Sequence, residues 1–243
     1  MKIFVISLSR SIERRKFIQE QLDSQGFIFE FFSAIDASIP HFLHSERAAP
    51  EITYKRKGYH LLDTEIACFA SHYELWKRCI EIDEPIVILE DNVDLSKDAK
   101  TIAMHINMEK YIEIYPYIKL SSTFKSSFKK VLELENHHHL IRYKKHTCGT
   151  TAYIISPLAA KKFISQADYF IEPVDDYMEK SWIHGVDCIH ISPDLFTRSN
   201  ADSTISKNRK QKFNISICHK IHIELYRLNS QIKKIIYKIK NDK

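Results

Sequence analysis

Glycine is scarce in this chain of 243 residues, which contains only Gly26, Gly58, Gly149 and Gly185. Their spacing forms neither a Gly-x-Gly-x-x-Gly pattern nor a P-loop. Such loops hold phosphate through closely approaching backbone N–H groups, so their absence from the sequence argues against this mode of phosphate binding. A phosphate-bearing ligand would need cationic side chains or a metal ion instead.

The sequence also lacks the patterns of secreted and membrane-spanning proteins. Its five cysteines are odd in number and scattered, without a Cys-x-x-Cys pair, which favours a reducing compartment over a disulfide framework. No apolar run reaches the roughly 18 residues of a membrane-spanning helix. No basic and then apolar leader precedes the first predicted strand. We therefore expect an intracellular, cytoplasmic protein.

Charge is distributed unevenly along the chain, although the net charge is +5. Residues 207–243 contain eleven Lys and Arg against two acidic residues, a local charge of +9. Residues 1–206 hold the other 25 basic and 29 acidic residues and therefore carry −4. Any anionic partner is accordingly expected at the basic tail, not at the acidic body.

The first segments predict a parallel sheet. The continuous apolar run "KIFVISL" (2–8) is typical of a strand buried on both faces. A helix follows, with Ser11 as N-cap and Gly26 as its stop, and a second strand is predicted over 27–32. A strand–helix–strand opening of this kind favours parallel pairing.

The rest of the chain continues the alternation. Residues 37–60 are polar and predict an irregular, mobile excursion, and a helix capped by Asp63 follows. Further helices are predicted over 98–114 and from Pro157, strands over 117–121, 151–156 and 186–192, and a separating basic stretch over 125–147. We therefore predict an α/β domain over residues 1–206 and a separate helical tail over 207–243. Sheets of this class bind ligands at the carboxyl ends of their strands.

One such strand end carries oxygen ligands. The segment "EPIVILEDN" (84–92) runs from apolar residues into Glu90, Asp91 and Asn92, with Asp94 close behind. Carboxylate and amide oxygens suit Mg²⁺ or Mn²⁺, and a metal there could bridge a diphosphate and neutralise a leaving group. The alternative is an acidic turn that caps the next helix.

Other candidate groups lie elsewhere in the chain. Asp175 and Asp176 in "EPVDDYM" (172–178) could supply a general base, or could simply begin a helix, where acidic residues suit the helix dipole. His72 shares a helix face with Glu65, although a single histidine on a helix is more often structural. Three arginines, at positions 10, 14 and 15, follow the first strand and either bind a ligand or form a solvated helix face.

The basic tail predicts an amphipathic helix. Lysines and an arginine surround one stripe of apolar residues. The stripe consists of Ile217, Ile221, Leu225, Leu228, Ile232, Ile235 or Ile236, and Ile239. This pattern fits a helix on an anionic membrane surface. The alternatives are docking on the body or on a second subunit, as in a homodimer. We expect no nucleic-acid partner, because no nucleic-acid-reading module accompanies the charge.

Four segments in this order resemble glycosyltransferase family 25, the bacterial lipooligosaccharide and lipopolysaccharide galactosyltransferases. They are "KIFVISLSRSIERR", "TEIACFASHYELWKRCIEIDEPIVILEDNV", "CGTTAYIISPLAAKK", and "PVDDYM" with the later "DSTI" (202–205). The resemblance implies a GT-A type fold, with a mixed, mostly parallel sheet flanked by helices. It also implies a UDP-sugar donor, usually UDP-galactose, inversion at the transferred carbon, a glycolipid acceptor, a divalent metal and work at the inner face of the bacterial inner membrane.

The resemblance also implies roles for individual positions. Metal and diphosphate are assigned to Glu90, Asp91 and Asn92. The nucleotide sugar is assigned to Ser7, Leu8, Arg10, Arg14, Ala34, Asp36, Glu65, Glu90 and Asp91, with His72 in the donor pocket as a catalytic candidate. The acceptor is assigned to Gly149 and Thr150, and the base to Asp175 or Asp176.

The chain departs from the family pattern at two of these positions. Ser7 stands where the family usually has Asn, and Asn92 replaces the last acid of Glu-Asp-Asp. Since the charge of the ligands tunes metal affinity, we predict weaker metal binding than in the usual motif. Two alternatives stay open. One is a metal-dependent hydrolase of nucleotide sugars that uses the same acids with water as acceptor. The other, suggested by Asn92, is a non-catalytic protein that binds nucleotide sugars or membranes.

Overall fold

The computed structural model describes residues 1–97, 99–106, 108–199 and 215–241. The "DSTI" segment, the division at residue 206 and the first part of the tail lie outside these ranges. The proposed division into a domain over 1–206 and a tail over 207–243 therefore stays a prediction.

A mixed sheet of eight strands forms the centre of the described part of the chain. The strands are β1 Lys2–Ser7, β2 Glu30–Ser33, β3 Ile86–Glu90, β4 Val93–Leu95, β5 Tyr117–Lys119, β6 Phe128–Glu133, β7 His139–Tyr143, β8 Ala152–Ile155, β9 Ile189–Ser192 and β10 Phe196–Arg198, of which β4 and β10 pair apart from the sheet. Their order in the sheet is β2-β1-β3-β8-β5-β9-β7-β6. Strand pairing makes β8 and β7 antiparallel to their neighbours, and the other six strands share one direction.

Helices cover both faces of this sheet. They are α1 Ile12–Ser24, α2 Pro50–Lys57, α3 Asp63–Ile82, α4 Ala99–Ile106, α5 Met108–Ile114, α6 Pro157–Ile164, α7 Val174–Met178, α8 Ser181–His184 and α9 Ile217–Asn241, with a 3₁₀ turn at Ser45–Arg47. Phe4 and Ile6 of β1 pack with α3 and α6, whereas Val5 packs with α1 and α5. The apolar run of β1 is therefore buried on both faces, because side chains of a strand alternate between them. The α/β prediction, with a mostly parallel sheet, is confirmed.

Three stretches differ from the sequence-based expectations. Residues 37–60, expected to be irregular, contain the 3₁₀ turn and helix α2, which begins at Pro50 and ends at Gly58 with φ of 76°. The basic stretch 125–147 contains the antiparallel β6–β7 hairpin. Asp63 is the first residue of α3 and not its cap, and Glu65 instead accepts a hydrogen bond from the Leu62 N–H at 3.1 Å.

Helix α9 confirms the amphipathic helix predicted for the tail, and it docks on the body. The buried Ile223 packs over Gly58, the His219 ring contacts the Tyr54 carbonyl at 3.0 Å, and Arg56 lies over the Tyr226 ring. The docking interpretation of the tail is therefore correct for this face of α9. Across the described ranges, no helix combines the length and apolarity needed to cross a membrane.

Candidate active site

A cleft of about 560 Å³ opens at the edge of the sheet where β1, β2 and β3 end. Because β8 is antiparallel, its amino end lies at this same edge and brings Gly149 and Thr150 there. The volume is within the range of small-molecule sites. Fourteen predicted residues line it: Ser7, Leu8, Arg10, Arg14, Ala34, Asp36, Glu65, His72, Glu90, Asp91, Asn92, Gly149, Thr150 and Asp175.

Asp91 binds Arg14 on one side of the cleft. Its two carboxylate oxygens accept hydrogen bonds from the Ser7 hydroxyl at 2.7 Å and from Arg14 at 2.9 Å. Burial raises the pKa of Asp91, and these two donors offset the effect only in part. Ser7, which replaces the usual asparagine, thus fixes the position of the Asp91 carboxylate by a hydrogen bond.

Glu90 lies on the opposite side of the same strand end. One of its carboxylate oxygens accepts a hydrogen bond from the Thr150 hydroxyl and lies 3.6 Å from His72 Nε2. Burial opposes ionisation of Glu90, but His72, Thr150 and the charge of Arg198 outweigh it and lower its pKa. Glu90 is therefore held as a carboxylate within the cleft.

The residues of the strand end fit a divalent metal in part. Both Asp91 oxygens are already engaged, whereas Asn92 Oδ1 is buried and has no hydrogen-bond partner among the described residues. Mg²⁺ is commonly held by one or two protein oxygens together with substrate phosphates and water. Glu90 and Asn92 are thus the two residues suited to hold Mg²⁺ or Mn²⁺, with Asp91 positioning Arg14 beside them.

The structure separates the two candidate bases. Asp175 lines the cleft, and one of its carboxylate oxygens accepts a hydrogen bond from the Gly149 N–H at 3.0 Å. Asp176 follows in the first turn of α7 but is not part of the cleft wall. Of the two carboxylates, Asp175 alone faces the space in which a ligand of the strand end would lie.

The arginines after β1 divide between binding and support. Arg10 pairs with Asp36, and both line the cleft together with Arg14. Arg15 instead donates to the Ser7 carbonyl at 2.8 Å and lies over the Phe31 ring, outside the cleft wall. Arg14 and Arg15 are thus partly buried and engaged, whereas Arg10 lines the cleft with 58% of its side chain exposed. Ligand binding by Arg10 and Arg14 stays a prediction.

Several cleft residues had not been predicted. Thr64, Cys68 and Ser71 lie on the face of α3 that also carries Glu65 and His72, so helical spacing could have found them. The cleft also includes Arg198, which pairing of β10 with β4 brings to the site. No local pattern around Arg198 marks it as a site residue.

A buried ion pair supports the segment that carries Gly149 and Thr150. Lys119, which is 1% exposed, donates to Glu179 at 2.8 Å and to the Cys148 carbonyl at 2.8 Å. The second Glu179 oxygen accepts from the Thr147 N–H at 2.8 Å. Lys119 and Thr147 hold the pKa of Glu179 at about 2, against the opposing effect of burial. This network, which sequence reasoning missed, positions the loop that contacts both Asp175 and Glu90.

Open α/β sheets bind ligands in a crevice at the carboxyl ends of their strands, and the cleft lies at this position. The fold and the site thus define an α/β ligand-binding protein, and comparison with known proteins identifies the family. The model of glycosyltransferase family 25 (LPS biosynthesis protein) matches residues 1–178. The chain belongs to this family.

Curated relatives are similar over most of this chain. The lipooligosaccharide biosynthesis protein lic2B of Haemophilus influenzae is 32% identical over 65% of this chain and 60% of its own length. The lacto-N-neotetraose biosynthesis glycosyltransferase LgtE of Neisseria meningitidis is 31% identical over 77% of this chain and 65% of its own length. The chain thus spans less than two thirds of the length of these relatives.

One solved structure also aligns with this chain. It is a glycosyltransferase involved in the glycosylation of the major capsid of PBCV-1, with a TM-score of 0.45 and 10% identity. The alignment covers 93% of this chain and 98% of that chain.

Proposed function

We propose that this chain is an inverting glycosyltransferase that moves galactose from UDP-galactose to a hydroxyl of a lipooligosaccharide, forming a β linkage. The observation that supports this most is the single cleft that gathers Glu90, Asp91, Asn92, Arg14 and Asp175 in a member of family 25. The cleft places carboxylates and cations where a sugar diphosphate and an acceptor hydroxyl could meet.

The proposed reaction is a direct displacement. Asp175 accepts the proton of the acceptor hydroxyl while that oxygen bonds to the anomeric carbon from the face opposite the diphosphate. The bond from the anomeric carbon to the phosphate oxygen breaks, and its electron pair leaves with UDP. Arg10 and Arg14 stabilise the charge that develops on the diphosphate. When bound, Mg²⁺ or Mn²⁺ held by Glu90 and Asn92 would add positive charge beside the leaving group.

A screen of nucleotide sugars tests this proposal. Binding is measured by calorimetry, and products are analysed with and without a lipooligosaccharide acceptor and with and without Mn²⁺. Transfer of galactose from UDP-galactose to the acceptor is the expected result. Release of free sugar at the same rate without acceptor would indicate the hydrolase instead. UDP binding without turnover on any acceptor would favour the non-catalytic alternative.

Asn92→Asp tests the metal assignment. A carboxylate in place of the amide adds a negative charge to the ligand set, so the half-saturating Mn²⁺ concentration is expected to fall about tenfold. The measurement is the rate of transfer as a function of Mn²⁺ concentration. Asp94→Asn, which alters a nearby acid outside the cleft wall, serves as the control. An unchanged Mn²⁺ dependence in Asn92→Asp would show that position 92 is not a ligand.

We further propose that α9 holds the protein on the anionic inner face of the bacterial inner membrane. The helix docks through one face, and its opposite face exposes eight large apolar side chains: Ile217, Ile221, Leu225, Leu228, Ile232, Ile235, Ile236 and Ile239. Lys220, Arg227, Lys233 and Lys240 flank this stripe. Burial of the apolar stripe between lipid headgroups, with cations beside it, accounts for both features.

Substitution of the exposed stripe tests membrane binding without removing the docked face of α9. The quadruple variant Ile221→Gln, Leu225→Gln, Leu228→Gln, Ile232→Gln is expected to lose at least tenfold in affinity for vesicles that contain anionic lipid. Transfer to a soluble acceptor should be retained. Vesicle sedimentation measures the first and a rate assay the second. Undiminished vesicle binding by the variant would contradict the proposal. If the wild-type chain is a dimer and the substitutions dissociate it, a second copy of the chain covers the stripe instead.

A further inference from the structure

A thiol, an imidazole and a carboxylate converge in the wall of the cleft. The ligand atoms of Cys68, His72 and Glu90 all lie within 4.8 Å of one another, and all three residues line the cleft. Cys68 and His72 are four residues apart on α3, so they share a helix face, and Glu90 ends the neighbouring strand β3. This cluster differs from the oxygen set of Glu90 and Asn92 because it adds sulfur and nitrogen.

His72 is oriented as a ligand. The side chain is fully buried, and its Nδ1 is hydrogen-bonded to the Tyr153 hydroxyl at 2.8 Å. Tyr153 is fixed in turn by the Trp76 indole N–H at 3.1 Å. By contrast, His72 Nε2 is buried, has no hydrogen-bond partner among the described residues and points towards Glu90. A histidine held at one ring nitrogen and open at the other is the usual arrangement of a metal ligand.

The spacing of these atoms suits a tetrahedral ion. Bonds of about 2.0–2.3 Å to zinc place neighbouring ligand atoms roughly 3.3–3.8 Å apart. The distance of 3.6 Å between His72 Nε2 and Glu90 lies in this range, and the Cys68 sulfur lies within 4.8 Å of the other two ligand atoms. Mixed sulfur, nitrogen and oxygen ligands favour Zn²⁺ over Mg²⁺ or Mn²⁺, which prefer oxygen.

We propose that Cys68, His72 and Glu90 form a Zn²⁺ site in the cleft, with the fourth coordination position open to solvent or ligand. Because Glu90 also belongs to the oxygen set, the two ions compete for it. Micromolar Zn²⁺ is therefore expected to inhibit a reaction that uses Mg²⁺ or Mn²⁺ at Glu90, and this consequence alone rests on the proposed function.

Cobalt substitution tests the site directly on the full chain. One Co²⁺ ion is expected to bind per chain and to show the absorption of thiolate-to-cobalt charge transfer. Added Zn²⁺ is expected to displace Co²⁺ and abolish this absorption. Cys68→Ser should remove this absorption and weaken Zn²⁺ binding about 100-fold, whereas Cys148→Ser should leave both unchanged. Tyr153→Phe should weaken Zn²⁺ binding about 10–100-fold, because His72 loses its orienting partner.

A measurement on the wild-type chain tests the site even if the variants do not fold. Zn²⁺ is expected to protect Cys68 from alkylation, as detected by mass spectrometry, while the labelling of Cys218 stays unchanged. Any of three results would overturn the proposal. The charge-transfer absorption could survive in Cys68→Ser, it could be lost equally in Cys148→Ser, or Zn²⁺ could leave the labelling of Cys68 in the wild-type chain unchanged. None of these measurements uses sugar transfer, so failure of the proposed function would leave their outcome intact.

Discussion

Asp175→Asn is expected to lower kcat for sugar transfer by about 10³-fold or more while UDP affinity changes less than about threefold. Loss of a general base costs typically 10²–10⁴ in rate. The amide oxygen of asparagine can still accept the hydrogen bond from the Gly149 N–H that Asp175 accepts at 3.0 Å. The substitution removes the proton acceptor and also the local hydrogen bond that the second Asp175 oxygen accepts from the Asp176 N–H at 2.9 Å. The loop should keep its place through the bond to Gly149. Steady-state kinetics and UDP calorimetry on the same preparation measure both quantities.

Asp176→Asn is the matched control for this experiment. The two carboxylates are adjacent in α7, but only Asp175 belongs to the cleft wall, so Asp176→Asn should change kcat by less than about tenfold. If Asp176→Asn abolished transfer and Asp175→Asn did not, the assignment of the base would be reversed. If Asp175→Asn lost both UDP binding and the circular dichroism signal of the folded protein, Asp175 would instead have a structural role.

Lys119→Met should destabilise the protein by about 3–5 kcal/mol, the usual cost of leaving a buried charge unpaired. The substitution removes the ammonium group that Glu179 meets at 2.8 Å and the donor to the Cys148 carbonyl. Urea unfolding, followed by circular dichroism, measures the free energy of unfolding. Lys16→Met, which removes an exposed i,i+4 pair with Glu20, should cost at most about 1 kcal/mol. Equal effects of the two substitutions would contradict a special role for the buried pair.

The pH dependence of unfolding gives a second measure of the same pair. The pKa of Glu179 is lowered to about 2 in the folded protein from 4.5. A lowered pKa contributes stability above the unfolded value, so this contribution should be complete above about pH 5 and disappear as pH falls towards 2. The loss is on the order of 3 kcal/mol. Glu179→Gln should show a smaller decrease in the free energy of unfolding over this pH range.

Local patterns were sufficient for the elements that carry the site. The apolar run of β1, the helix that begins at Asp63 and the acids that end β3 are where the sequence places them. Each depends on neighbours along the chain, because strand and helix periodicity and helix-end signals are local properties. Helix α2 could also have been found, since Pro50 and Gly58 are ordinary start and stop signals.

The docking of α9 shows how far such patterns reach. Its apolar stripe was visible in the sequence, but the docked face holds mostly polar and aromatic residues around Ile223 and gave no comparable signal. Membrane binding and docking looked like alternatives for one helix. In three dimensions the docked face and the exposed apolar stripe lie on opposite sides of α9, so docking is compatible with the proposed membrane binding.

By itself, the sequence determined the α/β class, the strand end with Glu90, Asp91 and Asn92, and the family. Only the tertiary structure decided which groups meet them. Asp91 is engaged by Ser7, 84 residues away, and Glu90 by Thr150, 60 residues away. The reason is physical: hydrogen bonds and ion pairs depend on distances of a few ångströms, which are set by how strands and helices pack and not by spacing along the chain.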